Sequence, residues 1–192
     1  MAAGTSSVMQ RLVTRVEAEL TTEEVELAMF LLTDTASGAT TFWDALRNTC
    51  GRDSSMFNLL AELLFCVQRL DVSKRLMGLS RDFSVALANS GVVPQMRKAL
   101  LKAHDGLGSE DVFSVWFLCR DLLGTKRCDG SFIHLVQDLE AVGAVSLTNM
   151  CVIHRCLLTI GRKDLAQPVR NLCRNRPRLG RFPVTTAAGC DP

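Results

Sequence analysis

An internal repeat restricts the fold of this chain more than any other feature of its sequence. Each copy has an acidic residue six positions before a Phe-Leu pair, and much later an Arg-x-Asp followed by an aliphatic residue. The Phe-Leu pairs are 117 − 30 = 87 positions apart and the Arg-x-Asp motifs 162 − 69 = 93 apart, which fits a longer loop around residues 124–130. The repeat therefore predicts two units of the same architecture in tandem. Its members are Glu24, Phe30, Leu31, Arg69, Asp71 and Val72 in the first copy, and Asp111, Phe117, Leu118, Arg162, Asp164 and Leu165 in the second.

Both copies have the apolar periodicity of α-helices. The chain has no tyrosine and no sustained alternation typical of β-strands, whereas apolar residues recur at helical spacing between turn-forming residues. Thr21 and Glu24 have the spacing of a capping box, and Ser109 with its two acidic neighbours can cap the helix that follows. Pro168 weakens the pattern of the last helix because proline lacks a backbone N–H. We predict helices at 8–20, 22–33, 42–49, 56–68, 72–77, 82–88, 95–103, 112–123, 132–141, 148–160 and 162–173.

The second helix of each copy is apolar on nearly all sides. In the second copy, Val115 and Cys119 belong to one stripe, and Phe117 and Leu118 to another. A surface helix of a small bundle normally buries one stripe. The other stripe then has to meet another module or a partner protein. A central helix that is buried on all sides is the alternative explanation.

The cysteine and histidine patterns indicate no active site. Cys66, Cys119, Cys151 and Cys156 lie in apolar helical stretches, where reduced cysteine behaves as a small hydrophobe. Cys151 and His154 share a helix face, but Cys156 points elsewhere, and a metal site would also need a fourth ligand. The caspase Gln-Ala-Cys-x-Gly motif, a phosphate-binding glycine loop and a catalytic serine motif are absent from the sequence. We expect no catalytic residue, no metal and no cofactor.

Charge and hydropathy favour a cytoplasmic protein that is not inserted in a membrane. No apolar run reaches the roughly 18 residues needed to cross a bilayer, and the N-terminus lacks the pattern of a signal peptide. The net charge is +2, but residues 161–192 hold seven basic and two acidic residues. We expect a solvated basic tail at 174–192. Nucleic-acid binding by this tail is a weaker alternative, since no aromatic residues are interleaved with the arginines.

At these motifs the sequence resembles the death-effector-domain family. That family has a Phe-Leu pair on its second helix and Arg-x-Asp-Leu on its sixth, and Val72 is a mild departure from the usual leucine. The resemblance covers roughly 6–78 and 94–173, joined by a connector at 79–93. The tandem arrangement is similar to that of viral FLIP proteins, and short cellular FLIP isoforms share it. It implies an all-α fold of two six-helix death-fold bundles packed in tandem.

The resemblance also implies roles for individual residues. It assigns an interdomain hydrophobic patch to Phe30 and Leu31, and a partner-binding hydrophobic patch to Phe117 and Leu118. It further implies two charge triads that join the second and sixth helices. The triads are Glu24, Arg69 and Asp71, and Asp111, Arg162 and Asp164.

The function that the resemblance implies is inhibition of death-receptor-induced apoptosis without enzymatic activity. Such a protein binds FADD and initiator procaspases in the death-inducing complex and blocks caspase activation. An alternative is activation of NF-κB through the regulatory subunit of the IκB kinase complex. Residues 93–96 lack the spacing of the Pro-x-Gln motif that binds TRAF adaptors, so we do not expect that activity.

Overall fold

The computed structural model of the protein describes residues 3–36, 38–50, 53–89 and 91–174. These residues form eleven α-helices, and the only β-type pairing among them is one isolated bridge between Ser146 and Asn149. We refer to α1–α5 as the first bundle and to α7–α11 as the second bundle, with α6 between them. The helices are α1 (Ala3–Glu17), α2 (Thr22–Leu32), α3 (Phe42–Cys50), α4 (Asp53–Cys66), α5 (Leu70–Met77), α6 (Arg81–Asn89), α7 (Gln95–Gly106), α8 (Ser109–Leu123), α9 (Phe132–Ala141), α10 (Cys151–Thr159) and α11 (Lys163–Arg174).

Local hydrogen bonds explain why several helices begin where they do. The Thr21 hydroxyl accepts from the Glu24 N–H at 3.2 Å, and the Glu24 carboxylate accepts from the Thr21 N–H at 2.8 Å, so the predicted capping box is present. Thr41 caps α3 in a similar way by accepting from the Asp44 N–H at 3.1 Å. Helix α8 is preceded by Gly108, one residue before the predicted cap.

Helix α10 departs from the sequence-based prediction, whereas α11 follows it. Helix α10 begins at Cys151 and not at residue 148, because Ser146 and Asn149 exchange two backbone hydrogen bonds, of 3.1 and 2.9 Å, in a closed turn. Helix α11 continues through Pro168 despite the missing N–H at that position. The predicted basic tail lies outside the described residues except for its first residue, at the end of α11.

Within the described residues, α6 packs against α4 and α5, so six helices pack together on the side of the first bundle and five form the second. Residues 33–36 and 38–41 after α2, and 124–131 after α8, form turns and extended backbone. In the second bundle, Gly124 and Gly130 have φ of +64° and +84°, a region that other residues rarely adopt. The Arg-x-Asp motif therefore stands at the start of the fifth helix of each bundle.

Each bundle buries its own apolar centre, and the two centres are joined. Leu46 and Leu60 are fully buried in the first bundle, and Leu100 and Leu157 in the second. Burying one such side chain stabilises the fold by about 1.5–3 kcal/mol. Helix α2 packs against α7, and the buried residues of both bundles form one cluster. The division into domains at 78/79 and 93/94 stays a prediction.

Candidate interaction site

The first predicted charge triad joins three helix ends. The Arg69 guanidinium donates to both carboxylate oxygens of Asp71, at 3.0 and 3.2 Å, and to the Glu24 carboxylate at 2.8 Å. It also donates to the main-chain oxygen of Glu19 at 2.8 Å. Because Glu24 closes the capping box of α2, Arg69 holds the start of α5 against the end of α1 and the start of α2. The hydrogen bonds from Arg69 lower the pKa of the Asp71 carboxyl.

The second triad repeats this arrangement. Arg162 donates to Asp164 at 3.2 and 3.0 Å, to Asp111 at 2.8 Å, and to the main-chain oxygen of Gly106 at 2.6 Å. Asp111 also accepts from the Gly108 N–H at 3.4 Å. The hydrogen bonds from Arg162 lower the pKa of Asp164. The triads are surface networks at equivalent places, and they set the position of the second helix in each bundle.

Phe30 on α2 lies inside the contact between the bundles, next to Leu31 in the chain. Both side chains are fully buried, and the guanidinium carbon of Arg97 on α7 lies 4.5 Å from the centre of the Phe30 ring. Arg97 is 1% exposed and pairs with Asp34 at 2.6 Å and with Glu140 at 3.0 Å. A charge this deeply buried has to be paired, and here one carboxylate comes from each bundle.

A second buried charge joins the bundles on another side of α7. Glu62 on α4 is 2% exposed, and its carboxylate accepts from the Val92 and Val93 N–H groups at 2.8 and 3.3 Å. It also pairs with the Lys98 ammonium at 2.7 Å. The sequence patterns did not single out Arg97, Asp34, Glu140 and Glu62. For Glu62 and Arg97, the available signal is a charged residue inside the apolar helical stretches 56–68 and 95–103, whereas Asp34 and Glu140 lie outside these stretches.

The equivalent face of α8 is open to solvent. The exposed fractions of Phe117 and Leu118 are 49% and 46%, and Phe113 and Leu122 on the same helix are also exposed. The guanidinium carbon of Arg120 lies 4.5 Å from the centre of the Phe117 ring. Among the described residues, α8 thus carries four exposed large apolar side chains, which we call the α8 face: Phe113, Phe117, Leu118 and Leu122. Large apolar side chains grouped on a surface are typical of protein–protein contacts.

The cysteines considered for catalysis or metal binding lie on α4, α8 and α10. In the described part of the chain, no three His, Cys, Asp or Glu side chains are grouped to hold a metal ion. Cys119 and Cys156 are both buried, with their Sγ atoms 3.5 Å apart. Burial raises the pKa of Cys66 to about 11, so this thiol is protonated at neutral pH. None of the helices in the described ranges is long and apolar enough to cross a membrane.

Comparison with known proteins identifies relatives of this chain. The family model of the death effector domain matches residues 96–175. The viral CASP8 and FADD-like apoptosis regulator of Molluscum contagiosum virus subtype 1 is 31% identical over 153 residues, which are 78% of this chain and 64% of that protein. The CASP8 and FADD-like apoptosis regulator of Mus musculus is 31% identical over 166 residues, which are 83% of this chain and 34% of that protein. The chain therefore spans less than two thirds of either relative.

A solved structure extends the similarity over both bundles. The crystal structure of the viral FLIP MC159, which revealed a mechanism of DISC assembly and vFLIP inhibition, is similar with a TM-score of 0.78 and 28% identity. The match covers 86% of this chain and 89% of MC159, so it extends well beyond the residues that the family model matches. The two bundles are death-effector domains, and the chain belongs to the viral FLIP family of tandem death-effector-domain proteins.

Proposed function

We propose that the chain inhibits death-receptor-induced apoptosis by binding FADD, initiator procaspases or both through the α8 face. The observation that carries this proposal is the opposite exposure of two equivalent phenylalanines. Phe30 is fully buried under α7, whereas Phe117 is half exposed at the same position of the second bundle. The first bundle has thus already used its second-helix face inside the molecule, and the second bundle offers its own to another protein.

The relatives supply the chemistry of the partner. Two are named CASP8 and FADD-like apoptosis regulators, and the MC159 structure concerns assembly of the DISC. A death-effector protein that occupies the assembly surface keeps procaspase chains from activating one another. We place this activity in the cytoplasm and assign it no catalytic step, because blockade needs only an occupied surface.

The proposal is tested by removing the apolar contact without disturbing the fold. The double variant Phe117→Ala/Leu118→Ala should lose capture of purified FADD or procaspase, and cells that express it should lose protection from Fas-induced death. Hot-spot aromatic residues at protein interfaces contribute about 2 kcal/mol or more, so the affinity should fall by about thirtyfold.

A matched control is available on α6. Phe83 is 48% exposed, close to the value for Phe117, so Phe83→Ala removes the same side chain at a similar cost in the fold. This control should keep both binding and protection. Unchanged capture and protection in the Phe117→Ala/Leu118→Ala variant would show that the α8 face is not the binding site.

A further inference from the structure

The contact between the two bundles shows how the second-helix face of the first death-effector domain is covered in this molecule. The receiving side, on the first bundle, consists of Phe30, Asp34 and Glu62. The donating side, on α7, places Arg97 over Phe30 and against Asp34, and Lys98 against Glu62. An aromatic ring and two acids on one side thus meet two consecutive basic residues on the other.

The repeat shows which residues of the second bundle have the corresponding sequence positions. The capping box at Thr21 and the Gly108–Asp111 bond fix an offset of 87 along the first two helices, and the two arginines of the triads fix an offset of 93 for the later helices. The receiving residues Phe30, Asp34 and Glu62 then correspond to Phe117, Asp121 and Arg155.

The corresponding side of the second bundle therefore keeps an aromatic ring, Phe117, and one acid, Asp121. Its third member is the basic Arg155 in place of an acid. By sequence offset Asp121 corresponds to Asp34, although Asp121 lies within α8 and Asp34 in the turn after α2. Arg155 corresponds to Glu62 in the same way. The pair of Phe117 and Asp121 already attracts a guanidinium, because Arg120 lies 4.5 Å from the ring centre and its Nε is 3.5 Å from the Asp121 carboxylate. Arg120 thus contacts an aromatic ring and a carboxylate on its own helix. Arg97 contacts the same two types of group across the two bundles.

The donating side is not repeated in the first bundle. By the offset of 87, Gln10 and Arg11 on α1 take the places of Arg97 and Lys98, and both are exposed. If a second copy of the chain docked its α1 on the α8 face, a neutral Gln10 would meet Asp121. Arg11 would meet Arg155, and like charges opposed at an interface are strongly unfavourable.

We propose that the α8 face recognises a death-effector helix from a different protein, one that carries a basic residue in the register of Arg97 and an acidic residue in the next position. Asp121 selects the basic residue and Arg155 selects the acidic one, while a second copy of the chain is excluded. The chain therefore joins a partner but does not extend a head-to-tail series of its own copies. This inference rests on the proposed function and adds the charge pattern of the partner to it.

The test converts the chain into its own partner. In the double variant Gln10→Arg/Arg155→Glu, α1 offers a basic residue to Asp121, and Arg11 meets an acid. Sedimentation velocity of the purified full chain should show a monomer for the unmodified protein. It should show concentration-dependent association that is about tenfold tighter or more in the variant, because close interfacial charge pairs contribute at that scale.

Two further changes check that this association uses the α8 face. Adding Asp121→Lys to the double variant should restore the monomer, while Glu110→Lys, at an exposed acid at the other end of α8, should not. Three results would overturn the inference: a double variant that stays monomeric, unmodified chain that associates as tightly as the variant, or association that survives Asp121→Lys. Both changed positions are exposed, so a thermal melt of each variant checks that the fold is retained.

This experiment separates the inference from the proposed function. Self-association of the designed variant needs no FADD and no procaspase, so it reports only on the charge pattern. If capture of FADD or procaspase survives Phe117→Ala/Leu118→Ala, the proposed function fails, whatever the sedimentation result.

Discussion

The guanidinium carbon of Arg97 lies 4.5 Å from the centre of the Phe30 ring, and both side chains are excluded from solvent. Arg97 belongs to the second bundle and Phe30 to the first, so the contact crosses between them. A desolvated cation–π contact contributes about 2 kcal/mol, and the carboxylates of Asp34 and Glu140 complete the pairing. The two bundles are therefore joined by a paired buried charge as well as by apolar packing.

Replacing Arg97 with methionine should destabilise the protein by about 3 kcal/mol, because it leaves two partly buried carboxylates without their cation. The change is measured as the free energy of unfolding in urea. The control is Arg75→Met, which breaks an exposed pair with Glu19 and should cost less than about 1 kcal/mol. Equal effects of the two variants would contradict a structural role for Arg97.

The two equivalent phenylalanines should differ sharply in their contribution to stability. Phe30→Ala creates a cavity in a fully buried contact and should cost about 3–5 kcal/mol. Phe117→Ala removes a half-exposed ring and should cost less than about 1 kcal/mol. Chemical denaturation of both variants measures the difference, and similar losses would mean that Phe117 is also part of the core.

Glu62→Gln should weaken the attachment of the chain segment before α7. The carboxylate accepts two backbone N–H bonds and pairs with Lys98, and a neutral amide reproduces these bonds only in part. We expect a loss of about 1–3 kcal/mol in unfolding free energy, the range for disturbing a buried hydrogen-bonded group. Glu26→Gln, at an exposed glutamate on α2, is the control and should be near neutral. Faster amide hydrogen exchange at Val92 and Val93 should accompany the loss, and its absence would refute the attachment.

The charge triads should make stability fall in acid. Asp71 and Asp164 have pKa values below the ordinary value of 3.8, because each accepts hydrogen bonds from its arginine. Their contribution is therefore fully present above that ordinary pKa and is lost as the pH falls through the lower pKa of the folded state. The variant Asp71→Asn/Asp164→Asn should lose stability at neutral pH and show a shallower decline below pH 4. Thermal melts across this range measure the slope, and an unchanged slope would exclude the triads as its source.

Local features of the sequence were sufficient to predict most helices. The capping box of Thr21 and Glu24 involves residues three apart, so its hydrogen bonds form wherever the chain becomes helical there. The start of α10 could not be predicted because the apolar pattern continues through residues 148–150, where a closed turn takes the backbone hydrogen bonds instead. The family resemblance supplied the triads, and the structure brings their members together.

The sequence by itself determined that two similar helical units exist and that each has more apolar helix surface than one small core can bury. Only the tertiary structure decided which of the two extra apolar helix surfaces is covered. Phe30 and Phe117 lie in the same local sequence pattern. Helix α7 packs against the first bundle and covers Phe30, whereas no helix within the described residues covers Phe117. The Arg97–Asp34 and Arg97–Glu140 pairs join residues 63 and 43 positions apart. Such pairing depends on how the bundles dock, and no local pattern encodes it.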